Sequence, residues 1–156
     1  SGLLGTIGIY SEVSQEEEDR VSDLIKENKW IKDPEQNFDH LSAGEKKKIL
    51  LLRALIREPE LLILDEPCSS LDIHAREDFN ELLKTYRMRK NFTSILISHR
   101  TDEIPGFYSH AFFLANGKMI ARGKYSELMN SELLSLTYGL DLEVISRNGS
   151  YFLSPK

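Results

Sequence analysis

The sequence predicts an α/β fold built on a parallel sheet. Three observations carry this. Leu61-Leu62-Ile63-Leu64 is a continuous apolar run bounded by Pro59 and Pro67, the pattern of a parallel strand covered on both faces. A one-sided helical stripe follows, with Ala75, Phe79, Leu82, Leu83 and Tyr86 at its apolar positions. Thr93-Ser94-Ile95-Leu96-Ile97 then gives a second buried strand. Strand, helix, strand is the repeating unit of parallel α/β sheets. Ligands of such sheets bind beyond the strand ends. Polar residues gather at those places here, at Asp65-Glu66 and Ser98-His99.

The remaining elements are read in chain order. Residues 1–14 open with a Gly-punctuated apolar stretch, Gly5-Thr6-Ile7-Gly8-Ile9-Tyr10. A helix is expected from about Gln15 to Asn28, with Val21, Leu24 and Ile25 at helical spacing, and Asp33-Pro34 breaks the chain after it. The next helix runs from about Ala43 to Ile56. Ser42-Ala43-Gly44-Glu45 is a capping box, with Ser42 at the N-cap and Glu45 at N3. The second half of that helix is nearly all apolar, which predicts burial on most sides. A helix starts near Asp72 and ends in the basic stretch Arg87 to Lys90, which suits the negative end of the helix dipole. Ala111–Leu114, Asn116-Gly117 and Lys118–Ala121 predict a hairpin with a type I′ turn. Short helices fill Tyr125 to Tyr138. A last hairpin pairs Leu142–Ile145 with Tyr151–Leu153 around Asn148-Gly149.

Composition narrows the function classes. With 156 residues, 40% of them hydrophobic and 29% charged, the chain suits one domain with a core of its own. A formal net charge of -5 argues against a nucleic-acid binder that works through a global positive field. The acidic run Glu16–Asp19 and the basic run Lys46-Lys47-Lys48 both read as solvated helix faces. One cysteine, Cys68, excludes an internal disulfide and fits a reducing compartment. Apolar stretches such as Ile49–Leu52 are far too short to span a bilayer. The opening Ser1-Gly2, without Met and without a signal peptide, predicts a piece of a longer protein.

Three places carry chemistry. At Asp65-Glu66 one carboxylate suits a hard cation such as Mg²⁺, usually through water. The other suits a general base or a group that orients water. A plain acidic turn after a strand is the bland alternative. His99 ends the other strand, where it either caps backbone or donates to a phosphoryl oxygen. Ser42-Ala43-Gly44 opens a helix whose free N–H groups and dipole attract anions. Gly44 allows close approach of a phosphate and Ser42 adds a hydroxyl. The bland alternative there is a capping box and nothing more.

Taken together, these segments resemble the ABC-type ATPases. Leu41-Ser42-Ala43-Gly44-Glu45 resembles the ABC signature motif, and Leu61 to Pro67 matches the Walker B pattern of that family. Ser69-Ser70-Leu71-Asp72 is similar to its D-loop, and Ile97-Ser98-His99 to its switch or H-loop. Their order and spacing agree as well. The resemblance implies part of a P-loop NTPase (RecA-like) parallel sheet over 58–156, with part of the ABC helical subdomain over 1–57. It implies ATP and Mg²⁺ as cofactors, with Asp65 on water-bound Mg²⁺, Glu66 polarising the attacking water and His99 on the γ-phosphate. Leu41, Ser42, Ala43, Gly44 and Glu45 would form a cofactor-binding segment in which Ser42 and Gly44 bind the γ-phosphate of ATP held by the opposite protomer, and Asp72 would couple the two sites. It further implies two partners, a second ABC ATPase domain and a transmembrane permease, with no nucleic acid. The location implied is cytoplasmic, on the inner face of the cell membrane.

The sequence also departs from that family. No G-x-x-x-x-G-K-[ST] occurs in the 156 residues, so the phosphate cradle and its lysine are missing. The chain alone is therefore expected to be inactive. Ala43 replaces the usual first glycine of the signature, Glu45 the common glutamine, and Cys68 the common threonine. Within the family, Asp102-Glu103-Ile104-Pro105-Gly106 together with Gly5–Tyr10 resembles molybdate-type and related metal-import ATPases. Gly44-Glu45-Lys46-Lys47-Lys48 also resembles the soluble iron–sulfur-cluster assembly ATPase, although that family usually lacks a proline after the two acids.

Overall fold

A computed structural model describes residues 14–147 and 149–156. The opening Gly-punctuated stretch lies outside the described residues, as does Asn148 of the last turn. The chain divides into two compact units, one ending at Ile97 and the other running from Ser98 to Lys156.

In the first unit, helix α1 spans Gln15–Glu27 and α2 spans Ala43–Leu55. Strand β1, Leu61–Asp65, is joined through α3, Ile73–Arg89, to β2, Thr93–Ile97. The two strands pair in parallel, with Leu61 opposite Thr93 and Asp65 opposite Ile97. This is the predicted strand–helix–strand unit. The apolar stripe of α3 packs inward as its spacing predicts, with Phe79 and Leu83 buried. Leu51, Leu52 and Leu55 of α2, Leu62 of β1 and Cys68 are buried in the same unit.

Burial of the strands differs from expectation. Leu62 is buried, but Leu61 and Ile63 are 50% and 57% exposed, and Ile95 and Ile97 are exposed as well. The register explains the pattern. Leu61, Ile63 and Asp65 pair with Thr93, Ile95 and Ile97, so one face of the sheet carries all six. Among the described residues that face has no cover. An apolar run marks a strand suited to two covered faces, but the cover must come from other segments. In the second half of α2 Leu51, Leu52 and Leu55 are buried, as is Ile56 at its end, and Leu50 alone is exposed.

The basic run is a solvated face only in part, because each ammonium has a partner and Lys48 is buried. Lys46 Nζ donates to the Asp39 carbonyl at 3.0 Å, Lys47 Nζ to the Glu66 carbonyl at 3.1 Å, and Lys48 Nζ to Asp78 at 2.9 Å. Lys48 is only 6% exposed. Its ammonium also lies 4.4 Å from the centre of the Trp30 ring, a cation–π contact. Lys48 in turn holds the Asp78 carboxyl below the usual carboxylate range.

Gly44 is buried where α2 meets α3. A Cβ added there would sit 2.7 Å from the Cβ of Ala75. The space left by the missing side chain is thus taken by the neighbouring helix. Gly44→Ala is expected to push the helices apart and destabilise the first unit by about 1–3 kcal/mol, the usual cost of overpacking. Urea unfolding measures this, and Ala75→Gly in the same protein restores most of the loss. A Gly44→Ala protein as stable as its parent would refute the close approach.

The second unit holds two antiparallel hairpins and two short helices among its described residues. Strands β3, His110–Ala115, and β4, Lys118–Lys124, meet at Asn116-Gly117. Both turn residues have positive φ, 50° and 72°, as a type I′ turn requires. Helices α4, Tyr125–Leu128, and α5, Ser131–Tyr138, fall where short helices are expected. Strands β5, Leu142–Arg147, and β6, Ser150–Pro155, form the last hairpin. Tyr125, Met129 and Leu134 make the core of this unit, with Phe113, Val144 and Leu153 packed against them.

Candidate functional site

The start of α2 is the signature-like segment. Ser42 is the N-cap, with extended backbone, and its Oγ accepts from the Glu45 N–H at 3.2 Å. The Glu45 carboxylate accepts from the Ser42 N–H at 2.9 Å and from the Ser42 hydroxyl at 2.7 Å. The capping box is therefore complete. The Ser42 hydroxyl bond, then the Ser42 backbone bond, holds the Glu45 carboxyl below its usual range. Leu41 closes the preceding 3-10 turn, Phe38–His40, by donating its N–H to the Phe38 carbonyl. Ser42 and Ala43 are exposed, so this helix start faces outward.

This geometry has a chemical consequence. An anion that takes the Ser42 hydroxyl proton has to displace Glu45 from it. The carboxylate already sits at the positive end of the helix dipole, where anions are stabilised. A glutamine at the same position would complete the box without a competing charge.

The carboxylate pair lies at the end of β1. Asp65 is the last strand residue and is exposed; Glu66 is half-buried. The Glu66 N–H continues the ladder by donating to the Ile97 carbonyl at 2.9 Å. Glu66 then leaves the extended region, with φ at +44°. A left-handed non-glycine residue costs about 1–3 kcal/mol and persists where its surroundings fix it. Three donors do so here. The Glu66 carbonyl accepts from Ser69 Oγ at 2.9 Å, from the Ser69 N–H at 3.2 Å and from Lys47 Nζ at 3.1 Å. Sequence reasoning gave neither Lys47 nor Ser69 a role. A serine three residues after Glu66 is a recognisable turn former; nothing local marks Lys47.

Asp72 is the N-cap of α3, and its carboxylate accepts from the Ala75 N–H at 2.8 Å. The D-loop-like aspartate is thus a structural cap within its own chain. Asp65, Glu66, Asp72 and the signature-like residues all belong to the first unit.

His99 belongs to the second unit. It is exposed, and its carbonyl accepts from the Tyr138 hydroxyl at 2.7 Å. The neighbouring Ser98 hydroxyl accepts from the Arg100 N–H at 3.0 Å and lies 3.2 Å from the Glu103 carboxylate. Arg100 pairs with Asp102 at 3.0 Å and with Glu103 at 3.3 Å. The loop that carries His99 is therefore tied to itself by several polar contacts.

No group of three or more His, Cys, Asp or Glu among the described residues could hold a metal ion by itself. A divalent cation at Asp65 would thus draw most of its ligands from water and a bound phosphate. That is the usual arrangement for Mg²⁺, so the residues fit it. None of the helices among the described residues is long and apolar enough to cross a membrane.

The family model described as "ABC transporter" matches residues 3–69. The ABC transporter ATP-binding protein YlmA of Bacillus subtilis (strain 168) is 32% identical over 155 residues, 99% of this chain and 59% of YlmA. The molybdenum import ATP-binding protein ModC of Shewanella sp. (strain MR-7) is 37% identical over 92 residues, covering 59% of this chain and 26% of ModC. Among solved structures, a chain of an ABC transporter in an inward-facing conformation has a TM-score of 0.80 at 19% identity, covering 99% of this chain and 63% of that one. The chain spans about three-fifths of the length of the YlmA relative it matches end to end.

Proposed function

Because the chain belongs to the ABC transporter ATPase family, we propose that it supplies the signature, Walker B, D-loop and switch-histidine parts of an ATP-hydrolysing subunit that drives import of a metal or oxyanion. The observation that carries the reading is the β1 end. There an exposed Asp65 is followed by Glu66 in a fixed left-handed turn, on a strand paired in parallel with β2. Bound Mg²⁺ would neutralise phosphate charge. Asp65 would hold that ion. Glu66 orients and deprotonates the attacking water. His99 donates to a phosphoryl oxygen. Leu41 to Glu45 present the α2 start, with the Ser42 hydroxyl and the N–H groups of Ala43 and Gly44, to the nucleotide of a second ATPase domain, and Asp72 couples the two sites across the dimer. Phosphoryl transfer needs chiefly positioning and charge stabilisation, which such residues supply.

The import reading is supported by the likeness to ModC over 92 residues. On this reading the intact subunit works on the inner face of the cell membrane beside a permease. Co-expression of the intact subunit with a candidate permease, followed by a phosphate-release assay, tests this. The expected result is Mg²⁺-dependent turnover in a membrane complex. Full turnover by a protein that binds no permease would favour a soluble ABC ATPase instead.

The 156-residue chain by itself is expected neither to hydrolyse ATP nor to bind it tightly. The Walker A lysine and its loop of N–H groups supply most triphosphate contacts in P-loop enzymes, and no such loop occurs here. Calorimetry with Mg-ATP checks it. Micromolar affinity in a monomer would mean that some other segment forms the phosphate site.

A further inference from the structure

Lys47 ends on the backbone of Glu66, although the two residues are 19 positions apart in sequence. Its Nζ lies 3.1 Å from the Glu66 carbonyl and 3.2 Å from Ser69 Oγ, whose hydroxyl donates to the same carbonyl. The residue so gripped has φ at +44°, a conformation that glutamate keeps only with support. Lys47 also belongs to the rigid helix that Ser42 caps. That helix start would face a nucleotide held by a partner domain, whereas Glu66 would act on the nucleotide of its own domain.

We propose that Lys47 is a positioning residue that links the α2 helix to the aim of Glu66, so that docking of α2 on the partner's nucleotide and the alignment of the general base are set through one side chain. This rests on the reading of Glu66 as the base given under Proposed function. An ammonium-to-carbonyl bond is charge-assisted and stronger than a neutral one. Arginine can keep such a donor, while methionine fills similar volume without one.

The test uses the intact ATP-binding subunit with its permease, as Lys47→Met, Lys47→Arg, Ser69→Ala and Glu66→Gln. Small misplacement of a reacting group costs up to about 100-fold in rate. Lys47→Met is expected to lower kcat by about 10- to 100-fold, with KM for ATP and ATP-dependent dimerisation kept within about threefold. Lys47→Arg recovers most of the kcat. A merely structural lysine would not give this split or this rescue. The proposal is overturned if Lys47→Met keeps the parental kcat, or raises only KM, while Glu66→Gln is inactive. If Lys47→Met does not fold, Ser69→Ala decides, because it removes a grip on the same carbonyl. A parental kcat there overturns the proposal, and a lowered kcat at unchanged KM supports it. Parental turnover by Glu66→Gln would instead sink the assignment of the base itself.

Discussion

Glu66→Gln in the intact subunit leaves ATP binding in place and slows hydrolysis by about 10²- to 10⁴-fold, the usual range for loss of a general base. Glutamine keeps the size and hydrogen-bonding reach of glutamate but cannot take a proton. The left-handed turn is held through the Glu66 carbonyl and its own N–H, both on the backbone. The substitution therefore keeps those backbone bonds and removes the base. With hydrolysis blocked, the ATP-bound dimer accumulates. Light scattering with Mg-ATP should show the larger species for the variant and a transient one for the parent. Hydrolysis by the variant at the parental rate would show that Glu66 is not the base.

Ser42→Arg is expected to reduce hydrolysis in the dimer to background, while each protomer still binds ATP. Two effects combine. The cap bond to the Glu45 N–H is lost, which costs about 0.5–2 kcal/mol of helix stability. The longer side chain also fills the outward-facing helix start where a phosphate would approach. The second effect is the larger one for turnover. Ser42→Ala separates the two, since it removes the cap without blocking the approach. Nucleotide affinity of the monomer is the discriminating measurement. If Ser42→Arg weakens it as much as it weakens turnover, Ser42 acts within its own protomer or only as a cap.

Local rules were legible in the sequence wherever a few adjacent residues decide the outcome. The Ser42–Glu45 capping box, the start of α3 at Asp72 and the Asn116-Gly117 turn all depend on side chains within four positions of each other. The parallel pairing of β1 and β2 followed from two apolar runs flanking an amphipathic helix. What the sequence did not disclose depends on distant partners. Apolarity at Leu61, Ile63, Ile95 and Ile97 states which surroundings these residues suit, not whether the described chain provides them. The need for glycine at position 44 also comes from a distant partner, since the space on its Cα is filled by Ala75, 31 positions later by the numbering. Charge alone could not tell a solvated lysine run from three lysines each committed to a different partner.

That lysine run also fixes a length. Successive residues on a helix are turned by about 100° from one another. Lys46, Lys47 and Lys48 therefore leave α2 in three directions, toward the Asp39 carbonyl, the Glu66 turn, and Asp78 with Trp30. All three directions are counted from the cap at Ser42. Inserting one uncharged residue between Ser42 and Lys46 would keep every charge yet rotate each ammonium away from its partner. In this stretch the helical phase is as much a part of the information as the residue types, and a reshuffled segment of identical composition would encode a different set of connections.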